Sequence, residues 1–214
     1  MGAEKLFWKD PYLTTATAMV TGVLDNVVTL NRTILFAFSG GQQSDEGTIG
    51  GFPVKKAEKV GTEIEYTMPA GHTLRTGDEV VLTLDWEKRF RIMRLHFTAE
   101  LVLELVYQNY GHPEKIGANV TCDKARVDFF FDGNIADALT DIYRNLSQMI
   151  TDDLEIISSF SDEPAEKRTW EIAGFAKVPC GGTHPRRTGE IGAVRLKREN
   201  PGKGKERIEI YLED

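Results

Sequence analysis

Residues 14–31, TTATAMVTGVLDNVVTLN, are dominated by β-branched side chains and broken once, at Asp25-Asn26. β-Branched residues fit a pleated surface better than a helix, so the run reads as two strands joined by a hairpin at that pair. More strands follow. RTILFAF (32–38) is a short apolar strand, SGGQQSDEGTIGG (39–51) a long turn, and EIEYTM (63–68) and EVVLTLDW (79–86) are further strands. Short strands separated by turn clusters describe a small barrel or a sandwich.

The pattern changes near Lys88. MRLHFTAELVLELVYQNYG (93–111) is rich in Leu, Glu and Ala and has no internal Gly or Pro, which predicts a helix ending at Gly111 and Pro113. ARVDFFFDG (125–133) alternates as a strand. NIADALTDIYRNLSQMITDDLEI (134–156) predicts a second helix with Asn134 as N-cap. EIISSFS, TWEIAGFAKVP, GAVRLKREN and ERIEIYLED supply further strands. The fold class is therefore α+β: a β-rich part over 1–87, then a part over 88–214 with helices on a mostly antiparallel sheet.

The formal net charge of −7 argues against a non-specific nucleic-acid binder, which depends on overall basicity. With only two cysteines, Cys122 and Cys180, a disulfide-stapled secreted scaffold is ruled out. The opening MGAEKLFWKDPYL carries charges and a proline where a signal peptide needs an apolar run, and no stretch has the ~20 apolar residues that span a bilayer. The expectation is a cytoplasmic protein with no membrane partner.

Two of the four histidines stand in suggestive surroundings. His96 and Glu100 are four apart, so on a helix they share a face and can point at one atom. Both are zinc-ligand types, although such pairs are also common as exposed ion pairs. Cys180-Gly-Gly-Thr-His184 is a loop by its glycines, able to fold a thiolate and an imidazole around one ion. Its plainer reading is a structural cysteine near a surface histidine. Together the motifs supply His, Cys, His and a carboxylate, the material of a zinc site. Ser39–Gly47 is either a plain long turn or a loop of backbone N–H groups approaching a ligand. Lys88, Arg89, Arg91 and Arg94 precede the His96 motif, and Arg186, Arg187, Lys203, Lys205 and Arg207 follow the Cys180 motif. That concentration points to a polyanionic substrate.

These motifs, in this order, resemble the editing regions of alanyl-tRNA synthetases and the free-standing AlaX proteins. SGGQQSDEG resembles the family's glycine-rich motif, PCGGTHPRRTGEIG its second metal motif, and GKGKERIEI its closing segment. RLHFTAELV sits where the family carries His-x₃-His. The resemblance covers nearly the whole chain and fits the medium-length members. It implies a glycine-motif β-barrel over 1–87 followed by a zinc-dependent editing domain over 88–214. It further implies trans-editing: hydrolysis of mischarged tRNA(Ala) at its acceptor end, seryl-tRNA(Ala) first and glycyl-tRNA(Ala) second.

Carried over by position, the zinc ligands are His96, Glu100, Cys180 and His184. Glu100 replaces the family's second histidine. It is a carboxylate ligand, a general base toward water, or a lesion that weakens metal binding. Thr98 is a second catalytic candidate. Ser39, Gly40, Gly41, Gln42, Asp45 and Thr183 are expected to border the pocket, and Arg186, Arg187, Lys203, Lys205 and Arg207 to hold the tRNA. The competing readings are a tRNA-binding relative without hydrolysis and a zinc hydrolase acting on a small non-RNA substrate.

Overall fold

Thr15–Leu24 and Val27–Leu30 pair antiparallel around Asp25, whose φ of 53° makes the tight hairpin that the sequence marks. They lie at the middle of a seven-stranded antiparallel sheet in the computed structural model, which describes residues 2–213. The strand order is Phe52–Pro53, Gly47–Ile49, Glu79–Leu84, Thr15–Leu24, Val27–Leu30, Glu63–Thr67, Lys56–Val60. The order leaves two edges among the described residues, so backbone pairing does not close the sheet into a ring. Alternate residues, such as Val28 with Leu30 and Ile64 with Tyr66, are buried on one face.

The chain packs into two compact units: residues up to Ser39 with Gln43–Phe90, and Gly40–Gln42 with Arg91 onward. In the first unit, RTILFAF departs from the expectation of one strand. Arg32–Thr33 pairs in parallel with Glu4–Lys5 and Phe38 makes a single parallel bridge to Glu58, while residues 34–37 are buried outside any strand. Side chains take over their backbone groups. Arg89 Nη2 donates to the Ile34 carbonyl at 2.7 Å, Tyr66 Oη to the Leu35 carbonyl at 3.0 Å, and the Phe36 N–H to Asp45 Oδ2 at 2.5 Å.

Helix α1 is the single turn Leu6–Lys9, and α2 runs Trp86–Asn109. The expectation that Asp85-Trp86 closes a strand is corrected. The Asp85 carboxylate accepts the Lys88 N–H at 3.1 Å and starts α2 there. In the second unit the middle of α2 is buried at successive positions, including Leu95, Phe97, Leu101, Val102 and Val106. A helix apolar on several faces has neighbours on several faces.

One neighbour is the antiparallel sheet Lys115–Val120, Ala125–Phe130, Lys205–Leu212, Val194–Gly202. Its Val127, Phe129, Ile208 and Ile210 share a core with α2 and with α3, Ala136–Thr151. Asn134 Oδ1 accepts the Ala136 N–H at 3.0 Å, but α3 ends before the expected Ile156 because Asp153 turns left-handed, φ 48°. A second antiparallel sheet orders Ile157–Asp162, Lys167–Ile172, Ala176–Pro179. The chain is thus mixed helix and sheet. No helix among the described residues is long and apolar enough to cross a membrane.

Candidate metal centre

His96 lies in the buried part of α2, and the strand Ala176–Pro179 delivers Cys180 and then His184. The Cys180 N–H is tied to the Arg168 carbonyl at 2.9 Å, which sets where the loop leaves the sheet. At Gly182 the loop passes so close to α2 that a Cβ would stand 2.0 Å from His96 Cε1. Only glycine permits that approach. Arg168 Nη1 holds the Gly182 carbonyl at 3.3 Å.

The result is one cluster. The ligand atoms of His96, Cys180 and His184 all lie within 4.8 Å of one another, a group able to hold a metal ion. His96 Nε2 and His184 Nε2 each stand 3.3 Å from Cys180 Sγ. Both rings are oriented from behind. Gln42 Oε1 accepts the hydrogen bond of His96 Nδ1, and Ser158 Oγ lies 2.9 Å from His184 Nδ1. A histidine whose Nδ1 is so occupied presents Nε2 to a metal. Gln42 is itself held, donating from Nε2 to Thr183 Oγ1 at 3.0 Å.

Glu100 follows His96 by one turn. Its Oε1 is 3.6 Å from His96 Nε2, and its Oε2 accepts from Trp170 Nε1 at 2.9 Å. It is not a member of the cluster of three.

Without a metal, charge is shared tightly in this pocket. Burial opposes a proton on His96, yet the Cys180 thiolate and the Glu100 carboxylate outweigh burial and raise the imidazole to about 10. Burial likewise opposes ionisation of Cys180, and the two imidazoles overcome it, lowering the thiol to about 6. Glu100 is drawn down to about 2 against its own burial, by His96 and the Trp170 indole. A proton on His96 sits between two anions, where a metal cation would satisfy the same charges.

The remaining expected residues divide. Gln42 and Thr183 are brought to the cluster, both buried. Gly41 lies against the neighbouring strand, where a Cβ would meet the Ala118 carbonyl at 2.5 Å, and its carbonyl accepts the Val120 N–H at 2.8 Å. Ser39 and Gly40 are exposed. Thr98 is fully buried and donates back to the Arg94 carbonyl at 2.7 Å, a local helix bond. Asp45 belongs to the first unit, where it pairs with Arg89 inside the core, Arg89 Nε to Asp45 Oδ1 being 2.7 Å.

Two of the four cations that precede His96, Arg89 and Arg94, turn inward. Arg89 is fully buried on Asp45, and Arg94 is buried with Nε on the Ile191 carbonyl at 2.7 Å. Arg186, Arg187 and Lys203 are exposed, and Lys205 is half-buried. Arg187 Nε reaches Asp153 Oδ2 at 2.6 Å, and Arg207 Nε reaches Asp128 Oδ1 at 2.7 Å. Ser158, Arg168 and Trp170 go unnoticed in the sequence. They lie on strands with no motif, and only strand register reveals that they support the cluster.

Residues 168–209 match the family described as "Threonyl and Alanyl tRNA synthetase second additional domain". The chain is 30% identical to "Alanyl-tRNA editing protein AlaX-M" of Pyrococcus horikoshii, covering 98% of each chain. It is 30% identical to the protein of the same name from Methanosarcina acetivorans, covering 99% of each. It is also 32% identical to "Alanine--tRNA ligase" of Staphylothermus marinus, over 90% of this chain and 24% of the ligase. With the motifs and the cluster in place along its full length, the chain belongs to the AlaX-M family of alanyl-tRNA editing proteins.

Proposed function

We propose that the protein is a trans-editing hydrolase that deacylates mischarged tRNA(Ala), with seryl-tRNA(Ala) as first substrate and glycyl-tRNA(Ala) as second. In this reading one zinc ion is held by His96, Cys180 and His184. The names of the full-length relatives support the activity. The observation that carries the metal is the convergence of two Nε2 atoms and one Sγ, with each Nδ1 engaged elsewhere.

The donor set fits zinc in type, and two of its three separations can be compared with a zinc tetrahedron. Zn–S bonds of about 2.3 Å and Zn–N bonds of about 2.0–2.1 Å give a tetrahedron with edges of roughly 3.3–3.6 Å. The two N···S separations are both 3.3 Å. Three protein ligands leave a fourth position for substrate or water.

Zinc bound there would supply a Lewis acid next to the ester at the 3′-adenosine. The chain's own residues do the rest. Gln42 and Ser158 keep both imidazoles aimed inward. Gln42 and Thr183 form a polar pair beside His96, the kind of group that tells a serine hydroxyl from alanine's bare methyl. In this reading Gly40 and Gly41, which precede Gln42 in the chain, border the substrate pocket. Arg186, Arg187, Lys203, Lys205 and Arg207 are the cations offered to the acceptor end. Alanine at Arg186 and Lys203 should weaken tRNA binding and flatten its salt dependence.

The test is metal analysis of the purified protein with His96→Ala and Cys180→Ala as controls, followed by deacylation of seryl-tRNA(Ala). The expected result is near one zinc per chain, lost in both controls together with hydrolysis. A metal-free protein that binds tRNA without hydrolysing the ester would favour the binding-relative reading.

A further inference from the structure

We infer that Glu100 stands outside the coordination sphere of the metal, as a carboxylate fixed by Trp170 beside an open fourth position, where it receives the α-ammonium group of the aminoacyl ester. This rests on the zinc reading above and assigns a substrate contact to the one residue where the chain departs from the family motif.

The geometry points this way from three sides. A fourth tetrahedral ligand must lie roughly 3.3–3.6 Å from all three of the others. Glu100 Oε1 has one such edge, 3.6 Å to His96 Nε2, and it is absent from the cluster whose ligand atoms stand within 4.8 Å of one another.

Its other oxygen is committed. Oε2 accepts from Trp170 Nε1 at 2.9 Å. Trp170 has no room to swing: it is fully buried, meets Phe97 edge-on at 5.1 Å, stacks on Phe175 at 6.5 Å, and its backbone is paired to Ser158 on one side and Val178 on the other. Moving the carboxylate onto the metal would strip the buried indole N–H of its acceptor.

Hydrogen-bond accounting supplies the third side. In the metal-free pocket Oε1 faces the Nε2 of His96. With that nitrogen engaged by a metal, Oε1 would be the free oxygen of the carboxylate, facing whatever filled the fourth position. An amino acid esterified to tRNA carries one cationic donor, its α-ammonium, two bonds from the carbonyl under attack. An anionic acceptor held rigid next to the metal suits that group.

The test separates metal binding from substrate contact. Zinc affinity is read by competition with a chromophoric chelator, and coordination by the visible spectrum of the cobalt-substituted protein. Glu100→Gln and Glu100→Ala should keep about one zinc per chain, with affinity within about threefold of native and an unchanged cobalt spectrum. On seryl-tRNA(Ala), kcat/KM should fall about tenfold or more, as expected for a lost hydrogen bond to a charged group. N-acetylseryl-tRNA(Ala), which lacks the ammonium, should be a poor substrate for the native protein and should be handled alike by native and Glu100→Gln. Loss of zinc or a shifted cobalt spectrum in Glu100→Gln would make Glu100 a ligand and overturn the inference. An equal penalty for N-acetylation in native and variant would overturn it too. A native protein that binds no zinc would overturn the zinc reading and this inference together, and no Glu100 variant is needed to read that result.

Discussion

Ser158 and Trp170 face each other across an antiparallel strand pair, and each holds one polar group of the candidate metal centre. Ser158 Oγ meets His184 Nδ1 at 2.9 Å, and Trp170 Nε1 meets Glu100 Oε2 at 2.9 Å. Directly opposed residues share a face, so a single register position supports both sides of the site. A slip of one residue would turn the whole strand's side chains to the other face.

Ser158→Ala should therefore weaken zinc binding by about 10–100-fold while leaving the fold intact, because it removes the group that orients His184. Gln42→Ala should act likewise through His96, with Thr183 also losing a partner. Chelator competition checks both. An unchanged affinity in both variants would mean that the two imidazoles are held by packing alone.

Gly182→Ala should disrupt the centre more severely than any change to an outer partner. The added methyl would overlap the His96 ring at 2.0 Å and stand 2.7 Å from Gln42 Oε1. Either the loop moves away from α2 and the metal is lost, or the fold carries an overpacking cost of about 1–3 kcal/mol. Zinc content and thermal melting of the same preparation should show at least one of these. Gly181, where a Cβ meets nothing within 4 Å, is the internal control: Gly181→Ala should retain zinc.

Asp45→Ala should behave as a stability lesion of the first unit. Both side chains of the Asp45–Arg89 pair have no exposure, and Arg89 also supports the Ile34 and Pro11 carbonyls, at 2.7 and 2.9 Å. Removing one partner of a buried pair leaves the other charge uncompensated, at a cost of about 3–5 kcal/mol. Denaturant unfolding should report that loss, and Arg89→Ala should match it. The double variant should cost much less than the sum of the two.

Glu209 should make stability depend on pH in the acid range. Burial works against its charge, but Lys124, Tyr211 and Lys197 hold its carboxyl below the ordinary 4.5. Tyr211 Oη donates to it at 2.8 Å and Lys197 Nζ lies 3.6 Å away. A carboxyl lowered by folding contributes stability above its unfolded value, and that contribution is lost as the pH falls below about 4.5 through the lower folded value. Melting temperature followed downward from pH 6 should fall less steeply in Glu209→Gln than in the native protein. Parallel curves would show that the pair contributes nothing to the acid limb.

The sequence by itself determined what depends on near neighbours. Alternation and β-branching marked the strands, Asp25-Asn26 marked the hairpin, and Asn134 marked the start of α3, because each is a local preference of the backbone. It also marked the two segments that supply the cluster, a helix carrying His96 and a glycine-bracketed Cys-x₃-His loop, while grouping Glu100 with them. Local preference misjudged residues 34–37, where tertiary partners replaced sheet bonds, and Trp86, which Asp85 turned into helix.

Tertiary structure decided which distant groups meet. Gln42 lies 54 positions from His96, Trp170 lies 70 from Glu100, and Ser158 lies 26 from His184. It separated Asp45 and Thr98, which sit beside site residues in the sequence, from the cluster itself. It also paired Glu100 with an indole and left it out of the three converging ligands. Such meetings are set by strand register and by the packing of a helix buried on several faces, and neither is encoded in the spacing of any single motif.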